Sequence, residues 1–141
     1  MEPSFQSPVP SGTAAQKGKR VGRSFHDLTV WQRSIEMTTF VYEMTGEFPK
    51  SETYGLSSQM PRAAVSVASN IAEGSGRGSK AEFRQFLNMA RGSNCELQTQ
   101  ILIASNLGFG SKDRIAAAAS LSHEVGRMLH GLIASISQDV R

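Results

Sequence analysis

The chain has 141 residues and a mass of 15.2 kDa, the length of one domain and enough to bury a real core. Its 39% hydrophobic and 19% charged residues fit a soluble globular protein. It has no run of about 18 apolar residues, which excludes a membrane-spanning helix. The single cysteine, Cys95, excludes an internal disulfide.

The formal net charge of +3 is unevenly placed. Residues 1–24 carry Lys17, Lys19, Arg20 and Arg23 against Glu2 alone. Residues 25–141 then balance 11 basic against 11 acidic side chains. The body is neutral and the basic excess sits in the N-terminal segment. That segment has no apolar core of a secretory signal, and its Pro, Ser and Gly content predicts a disordered tail. Such a tail can give weak, salt-sensitive contact with phosphate or act as a solvated linker. With no export signal and one cysteine, the expected compartment is the cytoplasm. The expected organisation is a disordered basic tail over 1–24 and a helical domain over 25–141.

The first helix is expected from about Asp27, a plausible N-cap, to Gly46. It carries two apolar stripes. One is Leu28, Trp31, Ile35, Thr38 and Tyr42; the other is Val30, Met37, Val41 and Met44. They lie roughly 120° apart at helical pitch. We read Trp31 and Tyr42 as core packing, and a second stripe implies a second covered surface, hence an oligomer. Substituting Met37 or Val41 by Glu is therefore expected to weaken assembly.

The second helix is expected from about Ser58 to Glu73, on the seam Met60, Ala64, Val67, Ile71. Pro61 then falls in its first turn, where a missing N–H matters least. Ala63, Ala64, Ser66, Ala68 and Ser69 keep this helix thin and suit it to a central place. Gly74, Gly76 and Gly78 stop it. Ser79 and Glu82 form a capping box for the third helix, Lys80 to about Asn106. The third seam is Phe83, Leu87, Ala90, Asn94, Leu97, Ile101, Ala104, with Asn94 its one polar member. Gly108 and Gly110 end that helix. The fourth begins after Ser111 and runs to about Ile136, on Ile115, Ala118, Ser122, Val125, Leu129, Leu132, Ile136. Loops this short force antiparallel neighbours, so the fold class is all-α, an antiparallel up-down-up-down four-helix bundle.

Several segments carry a family resemblance. They include Val30-Trp31-Gln32, Phe48-Pro49, Tyr54-Gly55-Leu56, Arg62-Ala63-Ala64-Val65-Ser66, Ser69-Asn70-Ile71-Ala72-Glu73-Gly74, Gly76-Arg77, Glu82-Phe83, Gly92-Ser93 and Glu96-Leu97. Together these segments resemble the 23S rRNA intervening-sequence proteins, across residues 25–109. The chain departs from that pattern at Pro61, where the family usually has a basic residue, and near Ala68, where it often has a proline. The resemblance implies a small cytoplasmic bundle that assembles as a cyclic homopentamer. Some members are encoded inside insertions of bacterial 23S rRNA genes. Related bundles are accessory proteins of diversity-generating retroelements that bind nucleic acid and reverse transcriptase.

Candidate sites are few. The loop Gly74-Ser75-Gly76-Arg77-Gly78-Ser79-Lys80 offers free N–H groups at a helix start with two cations, a phosphate-friendly pattern. It is not a P-loop, because Ser79 stands where that motif needs glycine and no strand precedes it. Arg62, Asn70, Glu73, Asn94, Glu96 and Gln100 lie near the seams of the middle helices. They are expected to form a paired polar network that fixes register. Arg62 and Arg91 are the expected nucleic-acid contacts of the body, with Arg77, Lys80 and Arg84 around them and the tail cations assisting. No Glu-x-x-His occurs for a metal bundle, since Glu124 is followed by Arg127 three residues on. His123 and His130, seven apart, are too widely spaced for one ion. Cys95 has no sequence-adjacent base. No cofactor, metal or catalytic set is expected. Two functions remain: a nucleic-acid- or ribosome-associated adaptor binding RNA or DNA, and a scaffold that docks a protein partner through the second stripe of the first helix.

Overall fold

The apolar periodicity resolves into four helices: α1 (Thr29–Thr45), α2 (Leu56–Ser75), α3 (Lys80–Leu107) and α4 (Lys112–Val140). Two short 3-10 turns, Phe25–Asp27 and Lys50–Glu52, precede α1 and α2. The computed structural model describes residues 24–140. The tail cations Lys17, Lys19, Arg20 and Arg23 lie outside the described residues.

Cross-helix contacts set the direction of every neighbouring pair. Between α1 and α2, Ser57 Oγ donates to the Thr45 carbonyl (3.5 Å) and Thr38 Oγ1 to the Ala64 carbonyl (3.1 Å). Between α2 and α3, the Ser66 and Ser93 hydroxyls pair at 2.8 Å and Gly74 lies against Phe86. Asn94 meets Ser122 between α3 and α4, and Lys80 meets Asp139 at 3.0 Å. Between α1 and α4, Arg33 bonds Glu124 at 3.0 Å and Arg114 pairs with Glu47 at 3.2 Å. In each pair, residue numbers rise along one helix as they fall along the other. The bundle is antiparallel, up-down-up-down. Helices α1 and α3 are diagonal, as are α2 and α4.

The core follows the seams. Met60, Ala64, Val67 and Ile71 are fully buried, as are Leu87, Ala90, Leu97 and Ala104 of α3 and Ala118, Val125 and Leu129 of α4. Burying such side chains contributes about 1.5–3 kcal/mol each for the larger ones. Helix starts are capped by side chains. Ser79 Oγ accepts from the Glu82 N–H (3.1 Å) and Ser111 Oγ from the Arg114 N–H (3.2 Å). Gly108 closes α3 in the left-handed region, φ 73°.

Four local expectations are corrected. Asp27 is not the cap of α1: it lies in the preceding 3-10 turn, and Leu28 at the N-cap makes no side-chain bond. Helix α2 starts earlier than its apolar pattern, because the Glu52 carboxylate accepts from the Leu56 N–H (3.0 Å) and caps it from the preceding turn. That places Pro61 in the second turn, buried, where it withholds an N–H from the Ser57 carbonyl. Gly74 does not stop α2 but lies inside it. A Cβ there would sit 2.5 Å from the Phe86 Cβ, so glycine lets α3 approach. Finally, the two stripes of α1 exchange roles. Met37, Val41 and Met44 are fully buried in the bundle, while Tyr42 is 56% exposed and Trp31 and Ile35 are half-buried. Ser34, buried between Val30 and Met37, completes the inward face, its hydroxyl satisfied by the Trp31 carbonyl at 2.7 Å.

Candidate nucleic-acid interface

The polar residues expected to form one network fall into separate local groups. Arg62 is exposed on the outer face of α2, about 160° round from Ala64 at helical pitch, and pairs with no carboxylate among the described residues. Its expected burial is thereby corrected. The seam at Met60, Ala64 and Val67 points inward, so position 62 must point out. Glu73 is exposed and bonds Arg77 (3.1 Å). Asn70 donates to the Ser66 carbonyl (2.9 Å) and hydroxyl (3.1 Å). Glu96 is exposed and accepts from Gln100 Nε2 (3.3 Å), while Gln100 Oε1 is buried without a partner. Asn94 alone sits deep in the core. Its amide donates to the Ser122 carbonyl and accepts from the Ser122 hydroxyl, both at 2.9 Å.

The cations of the 74–80 loop are also engaged. Arg77 pairs with Glu73 and lies over the Phe86 ring, 4.8 Å from its centroid. Lys80 bonds Asp139 across the end of the bundle. Arg33 is held by Glu124 and Glu36, whose hydrogen bonds raise its pKa further. Arg114 pairs with Glu47. The cations without a carboxylate partner among the described residues are Lys50, Arg62, Arg84, Arg91, Lys112 and Arg127.

Four of these six belong to α3 and α4, and helical phase gathers them. Cys95, Gln98 and Leu102 of α3 face Ala116, Ala119 and His123 of α4 across one cleft. Arg91 is one turn before Cys95 and two turns before Gln98, and Arg84 is two turns before Arg91, so these cations continue the same shoulder of α3. On α4, Arg127 lies one turn past His123 and His130 two turns past it. The Asn94–Ser122 pair fixes the register, so Arg91 and Arg127 stand level across the groove. Gly126 keeps the helices close there: a Cβ would come within 3.2 Å of Asn94 Nδ2.

No carboxylate of these helices pairs with Arg84, Arg91 or Arg127 among the described residues, although Glu124 lies one turn before Arg127. Glu82 and Glu96 point about 140–160° away from Arg84 and Arg91 around α3. Glu124 and Asp139 are occupied by Arg33 and Lys80, and Asp113 is four turns from Arg127. The result is a cationic strip of Arg84, Arg91 and Arg127 with no paired acid among the described residues. Among the expected contacts the structure unites Arg84 with Arg91. It leaves Arg62 on α2, which makes no contact with α4. Lys112 and Arg127 were not among the expected contacts, and His123 and His130 were weighed only as metal ligands. The seven-residue spacings Arg84–Arg91 and His123–His130 were visible, but the register of α4 against α3 was not. Among the described residues no three metal-ligating side chains come together.

The architecture is that of an antiparallel four-helix-bundle protein. The chain belongs to the 23S rRNA-intervening sequence protein family, which it matches over residues 26–131. Its fold is also similar to a crystal structure of a protein of unknown function from the S23 ribosomal protein family of Bacteroides thetaiotaomicron. That similarity has a TM-score of 0.69 at 20% identity and covers 74% of this chain and 98% of the other. No curated protein matches the chain. Among the described residues, no helix is long and apolar enough to cross a membrane.

Proposed function

We propose that this protein is a non-catalytic, oligomeric, cytoplasmic adaptor that binds nucleic acid, ribosomal RNA foremost, through phosphate contacts along the α3/α4 groove. The observation that carries this reading is the strip Arg84, Arg91, Arg127, with Lys112 beyond it, none of them paired with a carboxylate among the described residues. A neutral body can bind a polyanion when its charges are segregated in this way. Nothing on the strip is arranged to read bases in a duplex groove, so the binding is electrostatic and weakly selective. Membership of a family named for 23S rRNA intervening sequences puts the protein in a ribosome-related context. The test is affinity for RNA and DNA over a salt series, comparing the parent with Arg91→Glu/Arg127→Glu. A folded protein that binds neither polymer at low salt would remove this reading.

A second reading is favoured by a different surface. Tyr42 is 56% and Val65 40% exposed, and Trp31, Ile35 and Thr38 continue the same shoulder where α1 meets α2. That apolar strip suits contact between copies, a homopentamer by family resemblance. It also suits docking of a protein partner, such as the reverse transcriptase of a retroelement.

A further inference from the structure

The α3/α4 cleft ends in an open cavity of about 940 Å³ beside the turn that joins the two helices. Its apolar surface comes from Leu102 and Phe109 over the buried Ile101 and Ile115, and its polar groups from His123, from Gln98, whose amide reaches the Ser122 carbonyl (3.5 Å), and from Thr99, whose hydroxyl donates to the Cys95 carbonyl (2.9 Å). Lys112 stands at its wall. His123 Nδ1 donates to the Ala119 carbonyl (2.8 Å), because a carbonyl can only accept, so Nε2 of the neutral ring is left as an acceptor. Arg91 and Arg127 each lie one helical turn, about 5.4 Å, from a residue of this cavity. An apolar slot with polar groups and adjoining uncompensated cations matches one nucleotide: a flat ring, hydrogen-bonding edges and a phosphate.

We propose that this cavity receives an unpaired base of a single-stranded RNA or DNA segment, whose backbone runs from Lys112 past Arg91 and Arg127 toward Arg84. The inference rests on the phosphate-binding reading and adds the form of nucleic acid. A paired base cannot enter the slot without leaving its stack, which disfavours a duplex. An acidic amphipathic peptide would match the charge too. Its aliphatic side chains would cover the remaining acceptor positions of Gln98, Thr99 and His123 without offering a donor, a cost that a base edge avoids.

The experiment compares single-stranded oligonucleotides carrying 2-aminopurine with the matching duplexes, across a salt series. The variants are Ala116→Trp and Leu102→Asp, both at exposed cavity positions, with helix content checked by circular dichroism. Stacking of one base on a protein surface changes affinity by about 5- to 150-fold. The single strand is therefore expected to bind at least about tenfold tighter than the duplex, with 2-aminopurine emission altered. Ala116→Trp and Leu102→Asp are each expected to remove that preference, and Leu102→Asp, which adds a carboxylate to the groove, is expected to weaken duplex binding as well. Equal affinity for strand and duplex, untouched by either variant, would overturn the base-binding proposal. The phosphate reading would survive that result if Arg91→Glu still lowered the salt slope. Binding of a Glu/Leu-rich helical peptide that Ala116→Trp abolishes, with strand binding unaffected, would make the cavity a protein-docking site and equally overturn it.

Discussion

Asn94 and Ser122 exchange two 2.9 Å hydrogen bonds across the α3/α4 seam, amide to carbonyl and hydroxyl to amide oxygen, in the buried core. This exchange is available in one register only. Sliding α4 by a turn would bring an apolar neighbour opposite Asn94 and strand its amide. Asn94→Ala is expected to destabilise the bundle by about 1–3 kcal/mol, because buried Ser122 groups lose their partner. The double variant Asn94→Ala/Ser122→Ala is expected to cost less than the two single substitutions added together. Urea midpoints of the four members of the cycle give the coupling.

Gly74→Ala is expected to cost about 1–3 kcal/mol, since a methyl group must displace the Phe86 Cβ rather than a flexible tip. Gly92, whose added Cβ would meet nothing within 4 Å, provides the contrast. There Ala is expected to stabilise α3 by roughly 0.5–1 kcal/mol. Thermal unfolding of the two variants measures both signs.

Met37→Glu is expected to abolish folding, because it places a carboxylate in a fully enclosed site. Tyr42→Glu is expected to keep helix content while weakening any association of copies. Light scattering beside circular dichroism separates the two effects. A parent protein of about 15 kDa at micromolar concentration would count against assembly.

On duplex DNA each phosphate contact contributes about −0.9 to the slope of log K against log salt. Arg91→Ala/Arg127→Ala is expected to reduce that slope by about two units. Removing residues 1–24 is expected to reduce it by up to roughly three or four, one for each tail cation. Arg77→Ala and Lys80→Ala are expected to change it little, because Glu73 and Asp139 already hold those cations.

The seams of α2, α3 and α4 were legible because a period of three and four residues marks an inward face without knowledge of the partner. Helix α1 shows the limit. Both of its stripes are apolar, and only packing chose Met37 and Val41 over Tyr42. Arg62 was misread because a cation two residues from a seam looks close in the list and points away in space. The cationic groove depends on α4 meeting α3 in one register, which no single-helix pattern contains. The caps at Ser79 and Ser111 were readable because capping is local. The Glu52 cap was not, because it reaches from a separate 3-10 turn.

Pro61 divides α2 into two parts of unequal backbone cohesion. Its ring leaves the Ser57 carbonyl without the bond an ordinary residue would supply, so the segment before it is tied in by Glu52, by Ser57 on Thr45 and by the burial of Met60. Amide protons from Ser58 to Met60 are therefore expected to exchange with deuterium by a local opening. Those of Ala68 to Ala72 exchange only when the whole bundle opens. Glu52→Gln, which keeps the acceptor and removes the charge, would speed the first group and leave the second alone. A single imino acid at position 61 thus sets the end of the helix from which the chain begins to come apart.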